Sequence, residues 1–379
     1  MFMNFWYPAE ESTALTDKPL KVQMLGLWFV LWRDRAGQAH CVHNTCTHRG
    51  GSLADGKIVD DCIQCPYHGW KFDGSGACRR IPSLGPLAKI PERARIDAYP
   101  VEERYGLIFV FLGDLPEGER PTIMPNVEYG QPGWRTLSTR YRWKTSFVRL
   151  VENQSDPSHV EYVHSGFGMA GKSTNYEVPK INVEESAWGA GAMVVFYSPD
   201  LPDQEMKKLQ PETRNESGSG YHGAASTWTR VNFSPTNHMH LYLYTVPRDE
   251  QDLELFLVMQ RNCMLEDKFD ENFRKRMAIA IEEDRVVVEK LDPQIPSIEN
   301  AGEFIVPADD VIMNYRKRLV DWTRRGWRLD YDRIRADRGR VAYAIPSPGR
   351  RDYPHHWAMA AAPLVRDASV ERRRLPTGG

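Results

Sequence analysis

The chain has 379 residues, with 49 Lys and Arg against 51 Asp and Glu, and a formal net charge of −2. Charges of both signs are mixed along it, so no basic face for nucleic acid or an anionic membrane stands out. Six cysteines in a chain of this length do not make a disulfide scaffold, and the length suits two domains.

The N-terminal residues Met1 to Pro8 are aromatic, but no basic region precedes a long apolar run, so no signal peptide is expected. No stretch approaches a membrane span, and a reducing cytoplasm is the expected compartment. Residues 20 to 32 are rich in Val, Leu, Trp and Phe and run into Arg33-Asp34-Arg35-Ala36-Gly37, which reads as a strand and hairpin. Further short strands are expected at 57–64, 68–72 and 106–112.

Between them, Cys46-Thr47-His48 and Cys65-Pro66-Tyr67-His68 form two Cys/His pairs separated by sixteen residues. Two cysteines and two histidines also describe structural zinc modules. A zinc finger, however, collects its histidines at the far end, whereas here each half carries one of each. That division suits a [2Fe–2S] centre with two thiolates on one iron and two imidazoles on the other. Arg49-Gly50-Gly51 and Gly69-Trp70 follow the two halves, and glycine lets backbone pass close to a cluster. Cys41 and Cys62 read as small buried fillers and not as extra ligands; Cys78 and Cys263 are likewise outside the ligand set.

The segment resembles the Rieske domain of Rieske non-haem iron oxygenases. High-potential Rieske proteins carry an extra disulfide-forming Cys in each loop, where this chain holds Gly51 and Tyr67. The resemblance is therefore to the oxygenase and ferredoxin branch.

A polar connector, Gly113 to Gly118 with Pro121, follows Leu112. The expected division is a [2Fe–2S] domain over 1–115, a catalytic domain over 116–330, and an Arg- and Pro-rich tail over 331–379 with no secondary structure assigned. Residues 178–198 and 226–262 alternate as long antiparallel strands do, and 200–220 reads as a polar surface loop. Residues 268–291 read as an amphipathic helix.

The stretch Asn153 to His164 contains Asp156, Pro157, His159 and His164. Two imidazoles and one carboxylate suit non-haem Fe(II) with open positions for oxygen. Five residues apart, the two histidines diverge by roughly 140° on an ideal helix at about 100° per residue. They meet at one metal only if the helix is irregular, as in a π-type turn, or ends between them. Asp156 is expected to cap a new helix with Pro157 at its first position. Alone, such a pair is more often an ordinary core or surface pair than a ligand set.

The third donor is sought by periodicity. In 268–291, Phe273, Met277, Ile281, Val288 and Leu291 form one stripe, and Asp284 falls about 20° from its centre, whereas Glu283 and Glu282 fall about 120° and 140° away. A carboxylate there is costly to bury unless it binds a metal or a cation such as Arg261.

The family resemblance spans about residues 3 to 330. It implies an α+β fold: an all-β Rieske domain, then a helix-grip (START or Bet v1-like) domain with a large antiparallel sheet wrapped on a long C-terminal helix. It implies Cys46, His48, Cys65 and His68 as cluster ligands and His159, His164 and Asp284 as ligands of a mononuclear Fe(II). Asp156 would bridge a cluster histidine of one subunit to an iron ligand of the next, and Asn153 matches a residue near the iron. It also implies O2 as co-substrate and head-to-tail homotrimers. The chain is similar to vanillate and dicamba O-demethylases, saxitoxin-pathway hydroxylases and pheophorbide a oxygenases. Nothing in the chain resembles a flavin or nicotinamide site, with a glycine-rich turn leading from a strand into a helix, so electrons from NAD(P)H are expected through a separate reductase or ferredoxin. The expected function is monooxygenation of a small aromatic or apolar substrate, by hydroxylation or demethylation. Alternatives are ring dioxygenation and an electron carrier with a ligand-binding domain. Phe196, Tyr197, Trp228, Phe233 and Tyr242 are candidates to line the pocket or simply core. Gly166, Gly168 and Gly171 suggest a flexible entrance, and His222, His238 and His240 read as ordinary surface or core residues.

Overall fold

The computed structural model describes residues 1–164, 177–178, 180–197, 214–299, 302–355 and 357–365. The chain divides into two units: Met1–Thr122 together with the residues from Trp322 onward, and Ile123–Asp321.

The first unit is built from short antiparallel strands. The apolar run at 20–32 is broken by Leu25 and Gly26, both at positive φ, so it folds as the hairpin Leu20–Met24 with Leu27–Arg33. The turn at 34–38 then leads into Ala39–His43. Likewise 57–64 is two strands, Lys57–Val59 and Cys62–Gln64, because Asp60 and Asp61 take positive φ between them. Among the described residues this hairpin belongs to a four-stranded sheet with Lys71–Phe72 and Cys78–Arg80. Its core contains Val30, Trp32, Leu53, Ile63 and Phe72. Cys41 and Cys62 are buried, as fillers should be. The described part of the segment from 331 onward, to which the sequence assigned no secondary structure, has some: Tyr331–Ala336 and Gly349–Asp352 are helical, and Tyr343–Ala344 pairs with Ala360–Ala361. Buried Asp97 holds it by accepting from Ser347 and Arg350.

The second unit is an antiparallel sheet, with seven strands among the described residues. From one edge the order is Arg135–Trp143, Asp252–Arg261, His238–Asp249, Ser226–Asn232, Arg214–His222, Gly189–Tyr197 and Glu184–Glu185. Arg214–His222 falls where a loop was expected. Its sequence, Arg-Asn-Glu-Ser-Gly-Ser-Gly-Tyr-His, lacks apolar alternation because the strand needs small residues: a Cβ on Gly220 would lie 2.3 Å from the Ala190 carbonyl oxygen and 2.8 Å from the Trp228 ring.

Among the described residues four helices accompany the sheet: α1 (Phe147–Ser155), α2 (Val160–Val163), α3 (Asp270–Val288) and α4 (Asp310–Arg324). The Ser146 hydroxyl caps α1 by accepting from Arg149 N–H at 3.3 Å. On α3 the buried residues are Phe273, Met277, Ala280, Ile281, Asp284 and Val288. That is the expected stripe, shortened because the helix ends at Val288. The mixed α+β architecture is the one the family resemblance implies.

Candidate metal centres

The first donor set lies on two loops that are one turn built twice. Cys46 is followed four residues later by Gly50, and Cys65 by Gly69, both at φ +72°, a conformation that strains any residue with a Cβ. Each glycine donates its N–H to the cysteine carbonyl, at 2.9 and 3.0 Å. Each cysteine N–H donates to the carbonyl five residues ahead, Gly51 or Trp70, at 2.9 and 2.8 Å. The turns bury Cys46 and Cys65 in the apolar core and leave His48 and His68 exposed. The two Nδ1 atoms lie 3.1 Å apart, and Trp70 stacks on His48 at 4.8 Å.

The donors suit a cluster. Two nitrogens about 2.1 Å from one tetrahedral ion would be roughly 3.4 Å apart, near the 3.1 Å between His48 and His68. A single tetrahedral zinc needs all four donors together. Among the described residues, the one set of three or more such donors within 4.8 Å of each other lies elsewhere, so thiols and imidazoles stand as two pairs. A Cβ on Gly51 would come 2.9 Å from Cys65 Sγ, so that position is kept bare. Thr47 Oγ1, on the residue between Cys46 and His48, is buried without a hydrogen-bond partner, a donor that a bound cluster's sulfur would satisfy. Burial, with the Cys65 thiol adjacent, pushes the Cys46 thiol up to about 12; coordination removes that obstacle by deprotonating the thiol outright.

The second set forms where α1 ends. Asp156 has φ −91° and ψ 116°, the extended region imposed on a residue before proline. It therefore closes α1 and does not open the next helix, as the sequence reading expected. Its Oδ1 accepts from Ser158 N–H at 2.7 Å and from the Ser158 hydroxyl. α2 is one turn long, and His164 leaves it with ψ 100°. An interrupted helix, with no π-type turn, lets the two histidines converge, their ring centroids 5.2 Å apart.

Asp284, 3% exposed on α3, completes the set. Its Oδ1 lies 3.4 Å from Nε2 of both His159 and His164. The far edge of each imidazole is held by an acceptor: His159 Nδ1 lies 2.6 Å from the Asp156 carbonyl, and His164 Nδ1 lies 3.1 Å from Glu283 Oε2. An acceptor at Nδ1 puts the proton there and turns the Nε2 lone pair toward Asp284. Asn153 donates to Asp284 Oδ1 at 3.2 Å and Gln154 to Oδ2 at 3.0 Å. Arg261, the alternative partner for Asp284, is engaged by Asp270 and lies over the Phe273 ring.

Gln154, Glu283 and Thr47 escaped the sequence reading. Glu283 falls off the apolar stripe, and only its adjacency to Asp284, with the tendency of a metal-bound histidine to give its other ring N–H to an acceptor, points to its place. Trp228 and Tyr242 are directly opposed in the sheet, and Tyr242 donates to Glu128 at 2.6 Å. Their face is opposite to the one bearing Arg261 and α3, since paired residues share a face and the next along the strand takes the other. They do not face these helices. Phe233 is buried; His240 pairs with Glu128 and His238 with Asn232. The side chains of Phe196 and Tyr197, and Gly166, Gly168, Gly171 and residues 200–213, lie outside the described residues.

Comparison with known proteins bears on both halves. A Rieske [2Fe-2S] domain model matches residues 5–91, and the vanillate O-demethylase oxygenase C-terminal domain matches residues 143–325. 4beta-methylsterol monooxygenase of Methylococcus capsulatus is 30% identical over 267 residues, 67% of each chain. This chain is a Rieske oxygenase. Aminopyrrolnitrin oxygenase of Pseudomonas fluorescens is 37% identical over 166 residues, but that match spans 42% of this oxygenase and 45% of the relative. The structure of NdmA of Pseudomonas putida with caffeine superposes with a TM-score of 0.69 at 26% identity, covering 84% of this chain and 90% of that one. The oxygenase thus combines a Rieske cluster with a mononuclear iron, takes a small organic substrate, and draws electrons from a separate donor. Among its described residues no helix is long and apolar enough to cross a membrane.

Proposed function

We propose that this chain is the terminal component of a monooxygenase system that hydroxylates or demethylates its substrate. In this reading Cys46, Cys65, His48 and His68 hold the cluster, and His159, His164 and Asp284 hold the iron. When bound, these groups supply one-electron storage and reductive activation of O2. The protein's part is positional. The Asp156 carbonyl and the Glu283 carboxylate keep both Nε2 atoms available, and the amides of Asn153 and Gln154 orient the Asp284 carboxylate.

Asp156 has a second task in this proposal. Its backbone carbonyl already holds His159, and its carboxylate is steered by Ser158. We assign that carboxylate to a cluster histidine of a neighbouring protomer in a head-to-tail homotrimer, a heterologous ring of the kind that closes. A reductase or ferredoxin fed by NAD(P)H and a cytoplasmic location complete the proposal. It is carried above all by the meeting of His159, His164 and Asp284 with every orienting partner supplied.

Iron and acid-labile sulfide analysis with electron paramagnetic resonance of the reduced protein tests it. About three irons and two sulfides per chain, with a Rieske-type signal, are expected. A chain that retains two irons after Fe(II) is added would be an electron carrier instead.

A further inference from the structure

The helix-covered face of the sheet contains a hollow. Residues directly opposed in an antiparallel pair share a face, so the register defines rows across the strands. One row runs Ala192, Ser219, Thr229, Leu241, Met259; the next runs Val194, Ser217, Val231, Met239, Arg261. Arg261 fixes which face this is, since its guanidinium lies 4.5 Å from the Phe273 ring of α3. Tyr221, two residues along from Ser219, bonds Asn314 of α4 at 2.5 Å, and α1 packs on the same strands.

Five residues in the middle of these rows are partly exposed: Ser217, Ser219, Thr229, Val231 and Leu241. Their described neighbours on the same face are buried. Ala192 and Val194 close one flank at 5% and 6% exposure, and Met239 and Met259 the other at 2% each. Thr227 at 1% and Phe233 at 4% close the two ends. A partly open centre inside a buried rim is a depression in the wall that α1, the helix of Asn153 and Gln154, lies against.

We propose that this hollow is the floor of the substrate site and that it selects a molecule with an apolar body and one hydrogen-bonding group. The inference rests on the oxygenase reading and adds the class of substrate. Ser219 and Thr229 are directly opposed, with Cβ atoms about 5 Å apart, so one polar group can reach both hydroxyls. Val231 and Leu241 border them with apolar surface. A ligand that covers the hydroxyls without replacing their water is penalised, and sites built around hydroxyls reject analogues that lack the matching group.

The test is sealed equilibrium dialysis of the iron-loaded protein against 4-methylphenol and toluene, which differ by one hydroxyl. Wild type is expected to hold 4-methylphenol more tightly. Ser219→Ala and Thr229→Val should each weaken it by roughly three- to tenfold and leave toluene unchanged. Equal affinity of wild type for both probes, binding of neither, or an equal loss of both in the variants overturns the proposal. Iron and sulfide measured on the same samples separate this failure from failure of the oxygenase reading, which would appear as missing metal.

Discussion

Glu283 and Asp284, consecutive on α3, grip the same imidazole from two edges. Glu283 Oε2 lies 3.1 Å from His164 Nδ1, and Asp284 Oδ1 lies 3.4 Å from its Nε2. Removing the outer grip should loosen the inner one. Glu283→Ala is expected to weaken Fe(II) binding roughly 10- to 100-fold while the cluster spectrum is unchanged. Glu283→Gln, whose carbonyl still accepts from Nδ1, should lose less. Fe(II) titration of chelated protein measures both, and equal affinities for wild type and the alanine variant would remove Glu283 from the site.

Asp284 was legible in the sequence and Glu283 was not, for a geometric reason. A carboxylate centred on an apolar stripe conflicts with burial and so declares itself. One residue away, a glutamate points toward solvent on a helical wheel, and only its longer side chain brings it back to His164. The strand Arg214–His222 was hidden similarly: Ser217, Gly218, Ser219 and Gly220 are small for reasons of packing and space, and small polar residues read as loop. The paired Cys/His loops were legible because ligand chemistry admits few residue types, whereas the turns that repeat at Gly50 and Gly69 became visible only as hydrogen bonds.

Gly51→Ala should cost the cluster. The added methyl would stand 2.9 Å from Cys65 Sγ, and the backbone there is tied to Cys46 N–H, so relief requires the loop to move. Loss of the visible absorption and of labile sulfide is expected, with the second unit still able to bind Fe(II). A variant with full sulfide content would contradict this.

Thr47→Val tests whether the buried hydroxyl serves the cluster. A hydrogen bond to sulfur favours the reduced state, and one worth about 1 kcal/mol corresponds to roughly 40 mV for a one-electron couple. The variant should keep its cluster and show a potential lower by about that amount in protein-film voltammetry. An unchanged potential would leave the hydroxyl without this role.

Asp156→Asn isolates charge from shape. The amide oxygen can still accept from Ser158, and the backbone carbonyl still meets His159, so both metals should remain. Single-turnover oxidation of the cluster should slow at least tenfold. Wild-type rates would remove the carboxylate from the electron path.

Arg316 anchors α1 from outside the site. It bonds Glu152 at 2.6 Å and Glu303 at 2.6 Å, and Arg149 bridges the same two carboxylates. Arg316 is 3% exposed and Glu152 6%. Arg316→Ala leaves Arg149 alone against two carboxylates, one of them buried, and should cost about 3 kcal/mol of stability, read by urea unfolding. A loss below about 1 kcal/mol would mean that water replaces the guanidinium.

The hollow in the sheet separates two kinds of selection. Its rim, from Ala192 to Met259, belongs to the packed core, where a lost methylene group is felt at once. Its floor touches open space, so exchanges among residues of similar size there change what can bind far more than whether the chain folds. Descendants of this sequence can therefore drift in substrate preference by mutating five positions while the strands, the helices and both donor sets stay as they are. New chemistry in such a protein begins as a change of upholstery, with the frame untouched.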